Sequence, residues 1–318
     1  MNSKSQSKLA RRSFVGGIVG TAAVVATAPV ENALLYANDD NPKGWIDAHV
    51  HVWHPDTKKY PLGSSFSTTD MQPPSFTVDQ LFSHCRPSNV KRIVLIQMNF
   101  YEYDHKVMLE AMTTHPGTFS GVALIDYRST DVIAKVDELG KKGMRGFRIH
   151  SQGDAQDWVT APGMQTLWKR AGELGLAVCP LINPEDIQYV DAMCEKYPDT
   201  TVIVDHFARI GVSGNIDSKH LDALCLISRF PKTYVKTSAF YALGKKKAPY
   251  LDLVPMIKKV YEHFGAERLM WASDCPFQVE GGHNYEDSIA LIRDRIDFLS
   301  DQDKQWILSG TAEKLFFS

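Results

Sequence analysis

Eight short segments rich in apolar and β-branched residues alternate with amphipathic segments, and this alternation constrains the fold more than any other feature of the chain. The β-rich segments are residues 45–51, 92–98, 119–125, 144–150, 176–182, 201–206, 233–238 and 269–274. Residues 93–96 read IVLI, a continuous apolar run typical of parallel strands buried on both faces. Between strands, residues 164–174 place apolar side chains at helical spacing. Eight strands that are each followed by a helix predict a closed parallel (β/α)8 barrel, the TIM barrel of the α/β class.

Residues 1–37 have the pattern of an export signal rather than of a folded domain. Arg11 and Arg12 precede an uncharged stretch at residues 15–30 that is rich in Ala, Val and Gly. This pattern resembles a bacterial twin-arginine signal, and the stretch is shorter than the roughly 20 apolar residues of a stable membrane span. An uncleaved membrane anchor is the alternative. We therefore predict a signal segment at 1–37, a linker at 38–43 and one barrel domain at 44–318, exported to the periplasm or cell envelope of a bacterium.

Charge and cysteine content exclude several classes of protein. The formal net charge is −2, and the densest basic run is only residues 245–247. The chain therefore lacks the basic surface that nucleic-acid binding needs. Its five cysteines are scattered and form no CxxC pair, so no complete disulfide framework is expected. These properties argue against a nucleic-acid-binding protein and against a disulfide-stabilised fold.

Polar side chains stand at the ends of several predicted strands. His49 and His51 are two residues apart at the end of the first strand and should face the same side. His150, His206 and Asp274 end the fourth, sixth and eighth strands. Such groups are costly at the ends of buried strands unless they are paired or used, and in a barrel they converge on one mouth. The pattern predicts a divalent-metal site; the alternative for the His49 pair is that one ring packs and the other bonds a backbone carbonyl.

Other side chains near the strand ends are candidates for binding the substrate. Arg148 lies two residues before His150, hence on the same face of the strand, and its planar guanidinium suits a substrate carboxylate. Arg145 has the opposite phase and should point away. A salt bridge is the alternative role for Arg148.

Four more residues are weaker candidates for the substrate pocket. Lys236 and Tyr241 lie near the end of the seventh strand, and Lys236 could instead be a structural ion-pair partner. Trp53 and Tyr101 follow the first two strands and could line the mouth, with packing as the alternative for each aromatic ring.

Five stretches together resemble the amidohydrolase-2 branch of the amidohydrolase superfamily, most closely its lactonase-type members such as 2-pyrone-4,6-dicarboxylate lactonase and L-fuconolactonase. They are residues 46–53 (IDAHVHVW), 143–148 (GMRGFR), 204–206 (VDH), 264–276 (FGAERLMWASDCP) and 310–316 (GTAEKLF). The resemblance covers nearly all of the chain after the signal segment. It implies a TIM-barrel hydrolase that opens a lactone or a related cyclic ester.

The resemblance also implies roles for individual residues. His49 and His51 match the metal-ligand pair of the first strand, and Asp274 matches the carboxylate that activates water. His206 matches the sixth-strand histidine, as a further ligand or a polarising donor, and His150 joins it as a candidate catalytic residue. The implied cofactor is a divalent metal, Zn²⁺ or alternatively Mn²⁺, although some relatives work without a tightly bound ion. The implied substrate is a small lactone that bears a carboxylate.

Two alternatives stay open at this stage. Decarboxylases of the same superfamily place a metal-binding histidine after the fifth strand, where this chain reads VCPLI at residues 178–182; the missing histidine weakens a decarboxylase reading. A catalytically silent barrel that only binds a ligand should have lost the acid at 274 or the pair at 49 and 51, and all three are present.

Overall fold

In a computed structural model that describes residues 43–151 and 153–318, eight parallel strands form one sheet in chain order. The strands are β1 (Trp45–Val50), β2 (Val90–Ile96), β3 (Phe119–Leu124), β4 (Met144–His150), β5 (Ala177–Leu181), β6 (Thr201–Val204), β7 (Thr233–Ser238) and β8 (Leu269–Ala272). Val50 forms a parallel bridge with Cys275, so the chain after β8 returns to β1. The predicted (β/α)8 barrel is confirmed. The predicted signal segment, and residues 38–42 of the predicted linker, lie outside the described residues.

Helices follow the strands and surround the sheet. They are α1 (Val78–Cys85), α2 (Lys106–Thr114), α3 (Val132–Lys141), α4 (Ala155–Trp158), α5 (Pro162–Leu174), α6 (Ile187–Lys196), α7 (Ser218–Leu226), α8 (Val254–Phe264), α9 (Tyr285–Ala290), α10 (Asp301–Gln305) and α11 (Thr311–Phe316). α1 begins at a reciprocal capping box formed by Thr77 and Gln80. Within the described part of the chain, no helix is both long and apolar enough to cross a bilayer.

The core has two layers. Inside the barrel, strand side chains such as Ile46, Val94 and Ile203 form one cluster, which α11 closes through Phe316. The larger cluster lies between the sheet and the surrounding helices, with Trp168 of α5 among its fully buried members. Burying both faces of each strand explains why the strand sequences are apolar runs instead of alternating patterns.

The ends of two strands differ from their predicted positions. β6 stops at Val204 and β8 at Ala272, so His206 and Asp274 do not end strands but lie two residues beyond them. Both residues have left-handed backbone conformations, with φ values of 54° and 64°. The apolar runs end at Val204 and Ala272, and the polar residues that follow belong to sharp turns and not to the strands.

Candidate active site and metal centre

His49, His51 and Asp274 meet at the mouth of the barrel. The Nε2 atoms of the two imidazoles are 3.2 Å apart, and Asp274 Oδ1 lies 3.5 Å from His49 Nε2 and 3.4 Å from His51 Nε2. The three side chains are buried, and their potential ligand atoms all lie within 4.8 Å of one another. Two imidazole nitrogens and a carboxylate oxygen in this arrangement can hold a divalent metal ion.

An irregularity in β1 aims its two histidines into the mouth. The pairing of β1 with β2 shifts register between Asp47 and Val50. Before the shift, Ile46 and Ala48 face the barrel interior; after it, Val50 joins the cluster between sheet and helices. A bulge of this kind reverses the phase of the following side chains, which is why His49 and His51 share the interior side with Ile46 and Ala48.

Unusual backbone conformations cluster around the site. His206, Phe207, Ala208 and Arg209 form a run of four left-handed residues without a glycine, and Asp274 adopts the same region. Such conformations cost about 1–3 kcal/mol each and persist where the surroundings impose them. At Asp274 the backbone N–H donates to the carbonyl of His49 at 2.9 Å, which joins the two ligand-bearing segments directly. The strain therefore lies where the candidate ligands are positioned.

In His51 and His206, a hydrogen bond at Nδ1 determines which ring nitrogen carries the proton. His51 Nδ1 lies 2.9 Å from the carbonyl oxygen of Ile96, so it must carry the proton and donate. His206 Nδ1 lies 2.7 Å from the hydroxyl of Ser238, which itself donates to the carbonyl of Lys236 and so accepts from His206. Both rings therefore present an Nε2 lone pair to the cluster, the form that a metal requires.

His206 lies slightly farther from the Asp274 carboxylate than His49 and His51 do. Its Nε2 lies 3.8 Å from Asp274 Oδ1, and its ring centre is 4.4 Å from that of His49. Burial lowers the pKa of His206 to about 4, so the ring is neutral near pH 7. Its position and protonation suit a fourth donor to a metal or a hydrogen-bonding partner for the substrate.

Further hydrogen bonds fix both the Asp274 carboxylate and the segment that carries it. The hydroxyl of Tyr241 donates to Asp274 Oδ2 at 2.7 Å, leaving Oδ1 for the histidines. The buried carboxylate of Asp47 accepts hydrogen bonds from the backbone N–H groups of His49 and Ser273 and from the hydroxyl of Tyr285. The sequence analysis did not assign a role to Asp47, although a carboxylate inside an apolar strand is itself a signal.

Positive charge lies beside the cluster. Arg148 is buried, as its strand phase predicts, and its Nε lies 3.4 Å from Asp205 Oδ2. Burial, followed by the charge of Arg148, lowers the pKa values of both His150 (to about 3) and Arg209. Arg209 could not be predicted as a site residue, because it lies in the left-handed turn after β6, where the alternation of a strand no longer indicates which way a side chain points.

One ring nitrogen of His150 has no hydrogen-bond partner among the residues that the structure describes. Its Nδ1 lies 3.4 Å from the side-chain nitrogen of Asn99, which can only donate, so the ring proton sits on Nε2. His150 Nε2 is buried and makes no hydrogen bond to any residue within 43–151 or 153–318. An unsatisfied buried donor at a pocket wall is a group that a ligand can satisfy.

Lys236 and Trp53, both predicted to bind the substrate, are buried against other groups of the protein. Lys236 is fully buried, with its Nζ 2.9 Å from Asp205 Oδ1 and 3.1 Å from His49 Nδ1; it fits the alternative, a structural ion-pair partner. Trp53 is also fully buried, and its indole N–H donates to the carbonyl of Pro73. Tyr101 is 4% exposed and bonds the backbone of His54 through its hydroxyl, so packing accounts for most of its surface as well.

The packing role of Trp53 gives a stability prediction. Its ring contacts Phe76, Phe100 and Phe277, so truncation leaves a large cavity under the loop that follows β1. We expect Trp53→Ala to lower the free energy of unfolding by about 3–5 kcal/mol, measured by urea denaturation. The exposed ring of Tyr103, truncated in the same way, provides the control. A Trp53→Ala variant as stable as this control would contradict the packing role.

Comparison with known proteins agrees with this geometry. Residues 46–317 match the model of the amidohydrolase family. L-fucono-1,5-lactonase of Burkholderia ambifaria is 26% identical over 250 residues, which are 75% of this chain and 82% of the relative. The 4-sulfomuconolactone hydrolase of Hydrogenophaga intermedia is 25% identical over 287 residues, 86% of this chain and 89% of the relative.

Solved structures show the same fold. An amidohydrolase from Burkholderia multivorans with bound zinc superimposes with a TM-score of 0.73 at 18% identity, covering 86% of this chain and 99% of the other. The 5-carboxyvanillate decarboxylase of Sphingomonas paucimobilis superimposes with a TM-score of 0.62 at 12% identity, covering 86% and 99%. The barrel, the cluster of His49, His51 and Asp274 at its mouth, and the family match along residues 46–317 lead to one conclusion: this chain belongs to the amidohydrolase family.

Proposed function

We propose that this protein is a hydrolase that opens a lactone or a related cyclic ester, with Asp274 as the base that activates water. The observation that carries the proposal is the convergence of the Asp274 carboxylate and the His49 and His51 imidazoles at the barrel mouth, beside the cationic Arg148. Hydrolysis needs a base, groups that polarise the carbonyl, and groups that bind the substrate. The mouth supplies all three. The lactonase names of the two curated relatives support the same choice.

The residues divide the chemistry between them. Asp274 accepts a proton from the attacking water through Oδ1, while Tyr241 holds Oδ2 and keeps the carboxylate oriented. His150 presents an N–H that has no partner in the described part of the chain. Directed at the substrate, this group can donate to the oxygen that gains negative charge during ring opening. Neutral His206, whose Nδ1–H bonds Ser238, offers its Nε2 lone pair as a metal ligand or as an acceptor from the substrate or water.

His49, His51 and Asp274, with His206 beside them, would hold the cofactor, which we propose to be Zn²⁺, with Mn²⁺ as the alternative. The nitrogen-rich donor set favours zinc, and a zinc-bound structure of the same fold supports that choice. When bound in such a site, a divalent ion can lower the pKa of a water molecule to about 7 and polarise an ester carbonyl.

We further propose that the substrate carries a carboxylate, bound by Arg148 and Arg209. Besides burial, the charge of Arg148 contributes to the lowered pKa of Arg209, so the two cations act on one another. An anion between them would relieve their mutual repulsion, and the guanidinium fork matches a carboxylate. Neighbouring cations at a pocket wall therefore favour an anionic substrate over a neutral one.

Substitution of Arg148 tests the carboxylate site. We expect Arg148→Gln to raise KM for a carboxylate-bearing lactone by about 10- to 100-fold, because a hydrogen bond to a charged group contributes about 1.5–3 kcal/mol. KM for a neutral lactone of similar size should change little. Arg145→Gln, on the same strand with the opposite phase, is the matched control. Equal effects on both kinds of lactone would contradict carboxylate recognition.

The reaction class can be tested directly with the purified protein. We expect sugar-acid lactones, muconolactones or pyrone dicarboxylates to release one proton per ring opened, measured by titration at constant pH. Aromatic carboxylic acids should release no CO₂, because β5 carries no histidine. CO₂ release without ring opening would replace this proposal with the decarboxylase alternative.

We propose that the protein is exported through the twin-arginine segment. The support is the Arg11-Arg12 pair before an uncharged stretch; the segment lies outside the described residues. Substitution of both arginines by lysine should retain the protein in the cytoplasm, as measured by cell fractionation. Export that continues unchanged would contradict the proposal.

A further inference from the structure

Behind His49, a buried ion pair faces the same ring nitrogen with both a donor and an acceptor. Lys236 Nζ lies 3.1 Å from His49 Nδ1, and Asp205 Oδ1 lies 3.4 Å from the same atom. The ammonium and the carboxylate are themselves 2.9 Å apart. All three side chains are fully buried, so no water competes for these contacts.

The two neighbours favour opposite forms of the His49 ring. An ammonium can only donate, so a Lys236 bond to Nδ1 requires the imidazole proton on Nε2. A carboxylate can only accept, so a bond to Asp205 requires the proton on Nδ1 and leaves the Nε2 lone pair free. Only the second form can ligate a metal through Nε2, the nitrogen that faces the cluster.

The rest of the cluster explains when each form is favoured. His51 presents an Nε2 lone pair, because its Nδ1 donates to the carbonyl of Ile96. That lone pair is 3.2 Å from His49 Nε2. Without a cation, a proton on His49 Nε2 can bond the lone pair of His51 Nε2. His49 Nδ1 then has no proton and can accept a hydrogen bond from Lys236. With a cation between them, neither Nε2 atom can carry a proton. The His49 proton is then on Nδ1, where it can be donated to Asp205.

We propose that the Asp205–Lys236 pair positions His49 by exchanging the hydrogen-bond partner of its Nδ1 atom. Lys236 donates to Nδ1 in the metal-free form, and Asp205 accepts from Nδ1 in the metal-bound form. Asp205 is therefore the group that makes His49 a metal ligand. The His49 proton moves from Nε2 to Nδ1 when the cation binds, so the ring keeps one proton and stays neutral. Asp205 is fixed for this role by Lys236 on Oδ1 and by Arg148, 3.4 Å from Oδ2. The inference rests on the metal-dependent form of the proposed function and adds two positioning residues to it.

Zinc affinity separates this role from a merely structural one. The affinity of the full chain is measured by competition with a chromophoric chelator. We expect Asp205→Asn to weaken zinc binding by about 10- to 100-fold, the usual effect of losing a partner behind a ligand, because Lys236 then holds Nδ1 alone. Lys236→Met should bind zinc as tightly as the wild type or tighter. The double variant should recover most of the loss, because it removes the competing donor.

Controls distinguish this pattern from damage to the fold. Asp137→Asn breaks an ion pair with Arg170 between α3 and α5 and should leave zinc affinity unchanged. The unfolding temperature of each metal-free variant reports its fold separately. The inference is overturned if Asp205→Asn leaves zinc affinity unchanged. It is also overturned if Asp205→Asn, Lys236→Met and the double variant weaken zinc binding equally.

A spectroscopic measurement keeps the inference testable if a variant does not fold. With ¹⁵N-labelled histidine in the wild-type protein, His49 should show the Nε2–H form after chelation and the Nδ1–H form with one equivalent of zinc. The same form in both states overturns the switch and leaves lactone hydrolysis standing. A wild-type protein that binds no zinc overturns both the switch and the metal-dependent part of the proposed function.

Discussion

Asp274→Asn should reduce kcat by about 10³- to 10⁴-fold while the barrel stays folded. The loss has two sources: an amide cannot accept the proton of water, which alone is worth about 10²- to 10⁴-fold, and it is a weaker metal ligand than a carboxylate. Asparagine is the appropriate substitution because Asp274 has a φ of 64°, a conformation that asparagine tolerates better than most residues. The measurement is the rate of lactone opening at saturating substrate.

The control for this variant is Asp297→Asn, at an exposed position after α9. It carries the same chemical change and should leave kcat at the wild-type value. The unfolding temperature should be close to wild type in both variants, because each replacement keeps the size of the side chain. An Asp274→Asn enzyme with activity within tenfold of the wild type would remove Asp274 from its role as the base.

The second large effect concerns the metal. We expect the purified protein to bind about one divalent ion per chain, and His49→Ala and His51→Ala each to weaken zinc binding by at least about 100-fold, the upper range for losing a supporting residue. Each variant removes one of the two nitrogens that lie 3.2 Å apart at the mouth. Metal analysis by mass spectrometry after dialysis, with the chelator competition described above, measures both quantities.

His220→Ala on α7 is the matched control, since it removes a partly exposed imidazole outside the mouth. Its metal content and affinity should equal those of the wild type. If the wild type binds no metal and still opens lactones, Asp274 activates water without an ion and the metal-dependent part of the proposed function is wrong. If metal is retained in both His49→Ala and His51→Ala, the ion is bound elsewhere and the assigned centre is wrong.

The barrel and the candidate cluster could be predicted to different extents. Apolar runs such as residues 93–96 identify buried strands locally, because a parallel strand covered on both faces has no polar side. The sequence could place His49, His51 and His150 at or next to strand ends, but the bulge that turns the first two inward could not be predicted. The contacts of Trp53 and Lys236 could not be predicted, because their partners, Pro73 and Asp205, come from other segments of the chain.

Local sequence determined the eight strands, the family motifs and the identity of the groups able to bind a metal, because those properties depend on residue type and on spacing within a few positions. Only the closed barrel decided their geometry. The bulge in β1 turns His49 and His51 inward, and the return from β8 to β1 brings Asp274 within 3.5 Å of them. Asp205, Lys236 and His49 lie on three different segments, so the contacts that select a protonation form of His49 exist only after the barrel closes.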